Sequence, residues 1–350
     1  MKVTRRILSK RFRYDGLCPF WLTKEQRKAR QRYLDSFQTS DMIFHDKCPI
    51  CSHSEIVLIS EKDRTGLPVN NYICEGCGVI FKNPVLNKQA AVFHYQNISA
   101  LLRGKKLDSL SIEQLFYERV ERFGRPRYQF VLSNISKIEK TEPIVEVGCY
   151  DGANLLPWKE AGYQTIGIDI DTSSFSVGRS KGLELIEGTL ETLLSMNLRS
   201  AKLLILSHVI EHLTDPRDDL DKIRRIIAPD GFLFIELPGI RGNSGMNLLS
   251  FMDVEHNFSF DLYSLTRLLA MCHFERLYGD EFIRAVFRPS SKAKLPQNRS
   301  DLLGFLDSIE RSYRSSLFRS CYQFKLFLMN YVMFPIDDIV SIPRIFLKRL

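Results

Sequence analysis

The stretch Ile144-Val-Glu-Val-Gly-Cys-Tyr-Asp-Gly-Ala-Asn154 decides the fold. It reads as a buried strand that ends in a carboxylate, then a glycine turn, then a helix start. That geometry brings backbone N–H groups close to a ligand and leaves an acid beside them. About twenty residues on, Thr165-Ile-Gly-Ile-Asp169 repeats the pattern, and an acid at the end of a second strand usually takes the two hydroxyls of a ribose. Apolar runs at 144–147, 165–168, 183–186, 203–206, 232–237, 274–278 and 282–287 continue the series, and helix-period stretches such as 219–227 and 262–272 separate the first six. Such alternation builds a parallel sheet covered on both faces. Only Gly279, Asp280 and Glu281 lie between the last two runs, so these close the sheet as an antiparallel hairpin. The expected fold class is α/β, with the ligand at the carboxyl ends of the strands, where Glu146 and Asp169 both fall.

A nicotinamide dinucleotide would want Gly-x-Gly-x-x-Gly, because its pyrophosphate rests on bare backbone at a helix N-terminus. Here Gly148 and Gly152 have the wrong spacing, and Glu146 and Asp151 would set negative charge beside a phosphate. Acids suit a cationic nucleoside ligand without phosphate, and S-adenosylmethionine, with its sulfonium and ammonium, is one.

On these motifs the chain resembles the class I S-adenosylmethionine-dependent methyltransferases, which have a Rossmann-like, mostly parallel seven-stranded sheet. Glu146, Gly148 and Gly152 match the family's acidic, glycine-bearing first motif, with Tyr150 in place of the middle glycine, as is common in its sugar-methylating branches. Asp169 matches the ribose-binding acid. Leu203-Leu-Ile-Leu-Ser-His-Val-Ile-Glu-His-Leu-Thr-Asp-Pro216 resembles the fourth strand and its loop, and Ala228-Pro-Asp-Gly-Phe-Leu-Phe-Ile-Glu-Leu-Pro238 the following turn and strand. Glu255-His-Asn-Phe-Ser-Phe260 is similar to the segment that roofs the acceptor pocket. The resemblance covers 143–289. It implies a cofactor site of Glu146, Gly148, Tyr150, Gly152, Asp169, Ile170, Thr189, Leu190, Ser207 and His208, with adenine near Glu187, Gly188, Thr189 and Leu190.

Eight cysteines are present, and four of them form Cys48-Pro-Ile-Cys51 and Cys74-Glu-Gly-Cys77. Two such knuckles have the spacing of a zinc ribbon, each supplying two thiolates to a tetrahedral ion. Four sulfurs leave no open position, so the expected Zn2+ is structural. His45 and His53 flank it as bystanders. Disulfides or redox pairs are the alternative, which the lack of an export signal argues against. A ribbon ahead of this fold, with Tyr72-Ile-Cys-Glu-Gly-Cys-Gly78 leading to Asn83-Pro84, sharpens the resemblance toward the nucleotide-sugar and surface-glycan methyltransferases.

Residues 1–44 are read as a basic leader, 45–86 as the ribbon, 87–141 as a helical linker or cap, 142–289 as the cofactor-binding core and 290–350 as a helical extension. The leader carries Lys2, Arg5, Arg6, Lys10, Arg11 and Arg13. Its leading reading is a solvated, partly disordered tail, ahead of a nucleic-acid or membrane contact and then a transit peptide. In 111–120, Ser111 caps a helix whose apolar face holds Ile112, Leu115, Phe116 and Val120, and Gly124 and Pro126 break it. The extension repeats Leu302, Leu306, Ile309, Tyr313 and Leu317 at helical spacing and ends in an aromatic, basic stretch over 322–350, read as packing within the chain or in a homodimer, with peripheral membrane contact as the alternative. The longest uncharged apolar run, 326–336, is too short to span a bilayer, so a cytoplasmic location is expected. A net charge of +8 favours anionic partners without choosing among nucleotide sugars, lipid-linked phosphates and RNA.

Methyl transfer needs an aligned, desolvated nucleophile and a group that takes its proton. Carried over from the sugar C-methyltransferases, the acceptor residues are His212, Glu255 and His256; no motif places the pocket tyrosine those enzymes carry upstream, and Tyr95 is taken for it without one. The expected reaction is methylation of a small or lipid-linked carbohydrate in glycan or secondary-metabolite biosynthesis, at oxygen slightly before carbon. An RNA methyltransferase is the enzyme alternative, against which the loop after the fourth run lacks Asn/Asp-Pro-Pro-Tyr. A non-catalytic zinc-ribbon binding protein is the other.

Overall fold

A computed structural model describes residues 2–20, 22–104, 111–136, 138–196, 198, 200–242, 247–297 and 301–315. Seven strands make the central sheet: β1 (Ile144–Val147), β2 (Thr165–Asp169), β3 (Glu184–Glu187), β4 (Ala201–Ser207), β5 (Ile227–Glu236), β6 (Phe274–Gly279) and β7 (Arg284–Pro289). They lie in the order β6-β7-β5-β4-β1-β2-β3. The pairings among β1 to β5 are parallel, and β7 runs antiparallel to both β5 and β6, as the short connection at 280–283 requires. All seven residues of β4 are buried, which is why it reads as an unbroken apolar run. Strand order reverses between β1 and β4, and this switch point opens a crevice at the carboxyl ends of both.

The helix Pro216–Ile226 shows how local sequence sets one covering element. Asp215 caps it by accepting the Asp218 N–H, Pro216 opens it, and Arg224 and Arg225 complement its C-terminal end. Its Leu220 and Ile223 enter a core with Val145, Leu204 and Leu233 on one face of the sheet. The other face packs Ile144, Leu203 and Phe234 against Trp158 and Phe116.

The first core does not stop at the central sheet but takes in Cys48, Ile50, Tyr72 and Phe81 of the N-terminal module. That module is a second sheet of Lys2–Arg5, Glu55–Lys62, Pro68–Cys74, Ile80–Lys82 and Phe258–Ser259, in that order. Its last strand comes from the segment expected to roof the acceptor pocket, with Phe258 opposite Phe81 and Ser259 opposite Ile80. Ribbon and core therefore share a strand.

Three expectations change. The leader is not a free tail: Lys2–Arg5 pairs in parallel with Glu55–Leu58, and Lys24–Ser36 is a helix with a Thr23–Gln26 capping box. Ser111 does cap a helix, Ile112–Arg119, and Phe116 and Val120 are buried, but Ile112 is exposed. Gly124 and Pro126 do not break the chain there. It passes through a wide π turn, Val120–Gly124, into the helix Arg125–Asn134, because a bare Gly124 can lie against the Ala153 carbonyl, 2.6 Å from where a Cβ would stand. The helix Leu302–Arg314 follows the predicted spacing, with Leu302 and Leu306 buried; Leu317 and 322–350 lie outside the described residues.

Arg11 of the leader clamps this last helix. Its guanidinium pairs with both oxygens of the buried Glu310, with Nε 2.9 and 3.1 Å away, and lies 3.9 Å from the Tyr313 ring centroid. Removing one partner of a buried ion pair strands the other charge, which costs about 3 kcal/mol. Arg11→Ala should therefore lower the melting temperature and speed proteolysis within 301–315, as thermal melts and peptide mapping would show.

Candidate active site

The end of β1 and the turn after it form the floor of the crevice. Gly148 (φ +71°) and Gly152 (φ +80°) occupy left-handed conformations, and a Cβ on Gly148 would stand 2.5 Å from Val209. Tyr150 is also left-handed (φ +52°), an uncommon state for a residue with a side chain, and its N–H donates to Asp169 Oδ2 at 2.8 Å. The other Asp169 oxygen accepts from the Asp171 N–H. Burial pushes the Asp169 carboxyl above its usual range, with these backbone donors opposing it.

Glu146 is fully buried. One of its oxygens accepts from Asn154 Nδ2 at 2.6 Å, and the other has no hydrogen-bond partner among the described residues. Burial pushes its pKa up to about 8, against the Asn154 bond. Asn154 in turn accepts from Arg127 Nη1 at 2.8 Å, and Arg127 Nε donates to Glu236 at 3.0 Å. On the facing side Arg119 pairs with the buried Asp151 and lies 5.3 Å from the Tyr150 ring. Between them is a cavity of about 210 Å³ lined also by Phe123, Ser207 and His208. An orphaned buried carboxylate oxygen, the Asp169 carboxyl and a crevice of backbone turns suit a nucleoside ligand without phosphate, the charges of Arg119 and Arg127 being met by Asp151 and Glu236.

The structure thus brings Glu146, Gly148, Tyr150, Gly152 and Asp169 together, with Ile170 directly after Asp169 and Ser207 and His208 on the far wall. Thr189 sits at the cap of the helix Leu190–Ser195 and the Leu190 side chain is buried in the core; neither residue lines the cavity. Arg119, Arg127, Asn154 and Glu236 were not foreseen. Asn154 and Glu236 stand inside the recognised motifs, whereas the two arginines come from the flanking helices, which carry no motif.

The residues expected to line the acceptor pocket cluster beyond His208. His212 Nδ1 is 2.9 Å from the Glu255 carbonyl and 3.0 Å from the Tyr95 hydroxyl. A carbonyl only accepts, so Nδ1 carries the proton and Nε2 is left free. The His256 ring stands nearly perpendicular to His212, centroids 4.9 Å apart, and burial together with His212 pushes its pKa down to about 4. The Glu255 carboxylate turns away, to His94 Nε2 and Arg103 Nε, each at 3.2 Å. Burial raises its pKa, but His94, Arg103 and Ser99 prevail and hold it at about 2. Glu211, within a recognised motif but not singled out, is buried beside His208 and His212.

Hydrogen bonds fasten this cluster to the N-terminal module. Asn257 Nδ2 donates to the His212 carbonyl at 2.8 Å, Phe258 N–H to the Glu211 carbonyl at 3.0 Å, and Lys82 N–H to the Asn257 carbonyl at 2.9 Å. The buried Lys82 ammonium also donates to the Val254 carbonyl. In the same module the Cys48 and Cys77 sulfurs are 3.7 Å apart and those of Cys51 and Cys74 3.5 Å, and all four lie within 4.8 Å of one another. Sulfurs about 2.3 Å from a tetrahedral zinc stand about 3.8 Å apart. His45 and His53 are not part of that group.

Residues 116–276 match the family model described as a methyltransferase domain. Residues 116–276 thus carry a methyltransferase domain. The chain is 22% identical over 248 residues to the C-methyltransferase NovU of Streptomyces niveus, covering 64% of this chain and 54% of that one, so the chain spans about half the length of this curated relative. Similar solved structures include a SAM-dependent methyltransferase from Archaeoglobus fulgidus (18% identity, TM-score 0.39, 58% of this chain and 91% of that one). Another is the Burkholderia thailandensis 1,6-didemethyltoxoflavin-N1-methyltransferase with its ligand and S-adenosylhomocysteine (12% identity, TM-score 0.41, 64% and 97%).

Glu146 links the site to pH. Its folded pKa of about 8 lies above the ordinary 4.5, so the folded chain keeps a proton that the unfolded chain has released. Stability then falls as pH rises from about 4.5 through about 8. Glu146→Gln should flatten that fall, measured as melting temperature against pH without cofactor.

Proposed function

We propose that the chain transfers a methyl group from S-adenosylmethionine to a small or lipid-linked carbohydrate, at a hydroxyl oxygen. The cofactor's sulfonium supplies an already activated methyl, which leaves alignment and proton removal to the protein. The observation that carries the reading is the cluster of His212, Glu255, His256 and Tyr95 at the edge of the cofactor crevice. In it Glu255 and Tyr95 fix the His212 ring, and Nε2 of His212 and the His256 ring face the acceptor. Glu146 and Asp169 hold the cofactor's ammonium end and ribose, with the backbone around Gly148 and Tyr150 as the floor.

Oxygen comes before carbon because a buried carboxylate, Glu211, stands at the acceptor position. Within the cluster it can take the proton of a hydroxyl. Methylation at carbon beside a ketone is the second reading, favoured by the Tyr95–His212 contact and by the C-methyltransferase among the relatives. RNA is a weaker candidate, since Lys2, Arg5, Arg6 and Arg11 of the leader are ion-paired with Glu55, Glu61, Asp307 and Glu310. The four cysteines are assigned a structural zinc. No helix among the described residues is long and apolar enough to cross a membrane.

The test is transfer from methyl-labelled S-adenosylmethionine into host extract separated into RNA, sugar nucleotides and lipid-linked glycans. Label is expected in a carbohydrate fraction, where acid and alkali stability separates ether from carbon methylation. Nuclease-sensitive label would overturn the reading.

A further inference from the structure

Among the described residues, two groups bring metal-binding atoms within 4.8 Å of one another. One is the four cysteines; the other is Glu211, His212 and His256. The second has no structural task that explains it. Glu211 is 1% exposed, yet neither carboxylate oxygen has a hydrogen-bond partner among the described residues. His208 Nδ1 at 3.5 Å and His212 Nε2 at 3.9 Å are its nearest cationic or donor groups, too distant for good hydrogen bonds. A buried carboxylate without close donors is costly, and among the described residues the facing imidazoles of His208, His212 and His256 are what offset its burial.

The surroundings have the form of a prepared ligand set. His212 spends Nδ1 on the Glu255 carbonyl and Tyr95, an outer contact of the kind that fixes a ligating histidine and turns Nε2 toward a metal. The backbone beneath is pinned from both sides, by Phe258 N–H on the Glu211 carbonyl and Asn257 Nδ2 on the His212 carbonyl. Ligands about 2.1 Å from a cation stand about 3 to 3.5 Å apart, so 3.9 Å closes with a movement of less than about 1 Å. We propose that Glu211, His212 Nε2 and His256 bind a divalent transition-metal cation whose open positions take the oxygen of the acceptor. One carboxylate and two imidazoles suit Mn2+, Fe2+, Co2+ or Zn2+ better than the all-oxygen cations Mg2+ and Ca2+.

The placement fits the chemistry. His208, which touches Glu211, also lines the cofactor cavity, so the cation lies one side chain from the methyl donor. A hydroxyl on such a cation becomes more acidic, as bound water does, so its proton passes to solvent and the alkoxide oxygen faces the methyl. That oxygen takes the methyl as the carbon–sulfur bond breaks, and S-adenosylhomocysteine leaves with the bond's electron pair. The identity of the acceptor rests on the carbohydrate reading above; the cation site does not.

The experiment is titration of the zinc-loaded full chain with Mn2+, counting free Mn2+ by its electron paramagnetic resonance signal. Manganese prefers oxygen and nitrogen ligands, so it reports this group and not the thiolates. One Mn2+ per chain is expected, bound at least tenfold more weakly by Glu211→Gln and by His256→Ala, and raising the melting temperature of the wild type alone. Wild-type protein that takes up no Mn2+, or variants that hold it as tightly, would overturn the site. If one variant does not fold, the wild-type titration and the other variant decide. Uptake without carbohydrate labelling sinks the substrate reading and keeps the site; labelling without uptake does the reverse.

Discussion

The architecture depends on one short piece of shared β-structure. Phe258–Ser259 belongs to the segment expected to roof the acceptor pocket and is the last strand of the N-terminal sheet, paired with Ile80–Lys82. On its other side the same segment holds the loop after β4 through Glu211 and His212. Three groups distant in sequence are therefore tied together by one set of hydrogen bonds to the backbone: the cysteine module, the histidines of the loop and Glu255-His256. Apolar packing reinforces it, since Tyr72 and Phe81 share a core with Leu206, Leu233 and Phe260. A small module below the size that holds a stable core alone gains one by this fusion.

The two halves of the site are built differently. The cofactor half rests on backbone conformation, with glycines at Gly148 and Gly152 and a strained Tyr150 tied to Asp169. The acceptor half rests on side chains held by other side chains, Glu255 by His94 and Arg103, His212 by Tyr95 and the Glu255 carbonyl. Backbone-defined sites leave a spacing in the sequence, and side-chain networks do not. This difference explains most of what sequence reading found and missed.

Glu146, Gly148, Gly152 and Asp169 were legible because strand, turn and acid are neighbours in the chain. The central strands were legible from apolar runs bounded by turns, and the ribbon from Cys-x-x-Cys pairs. The leader was misread because Lys2–Arg5 has the charge of a solvated segment, and only its partner strand at Glu55–Leu58 makes it part of a sheet. Gly124 and Pro126 looked like a helix break because local propensity cannot register the Ala153 carbonyl that packs against Gly124. Arg119, Arg127, His94 and Arg103 act across long sequence separations, and each is an ordinary helix residue until the fold brings its partner. Tyr95 could be named but not placed for the same reason.

The central claim is that the cysteine module holds the acceptor half in place. Hydrogen exchange followed residue by residue, on the full chain before and after addition of a metal chelator, tests it most directly. The account predicts faster exchange at Lys82 and Phe258 and across 254–260, while β1 and β4 stay protected. Loss of protection confined to 48–77, with the Lys82 and Phe258 amides unchanged, would contradict it.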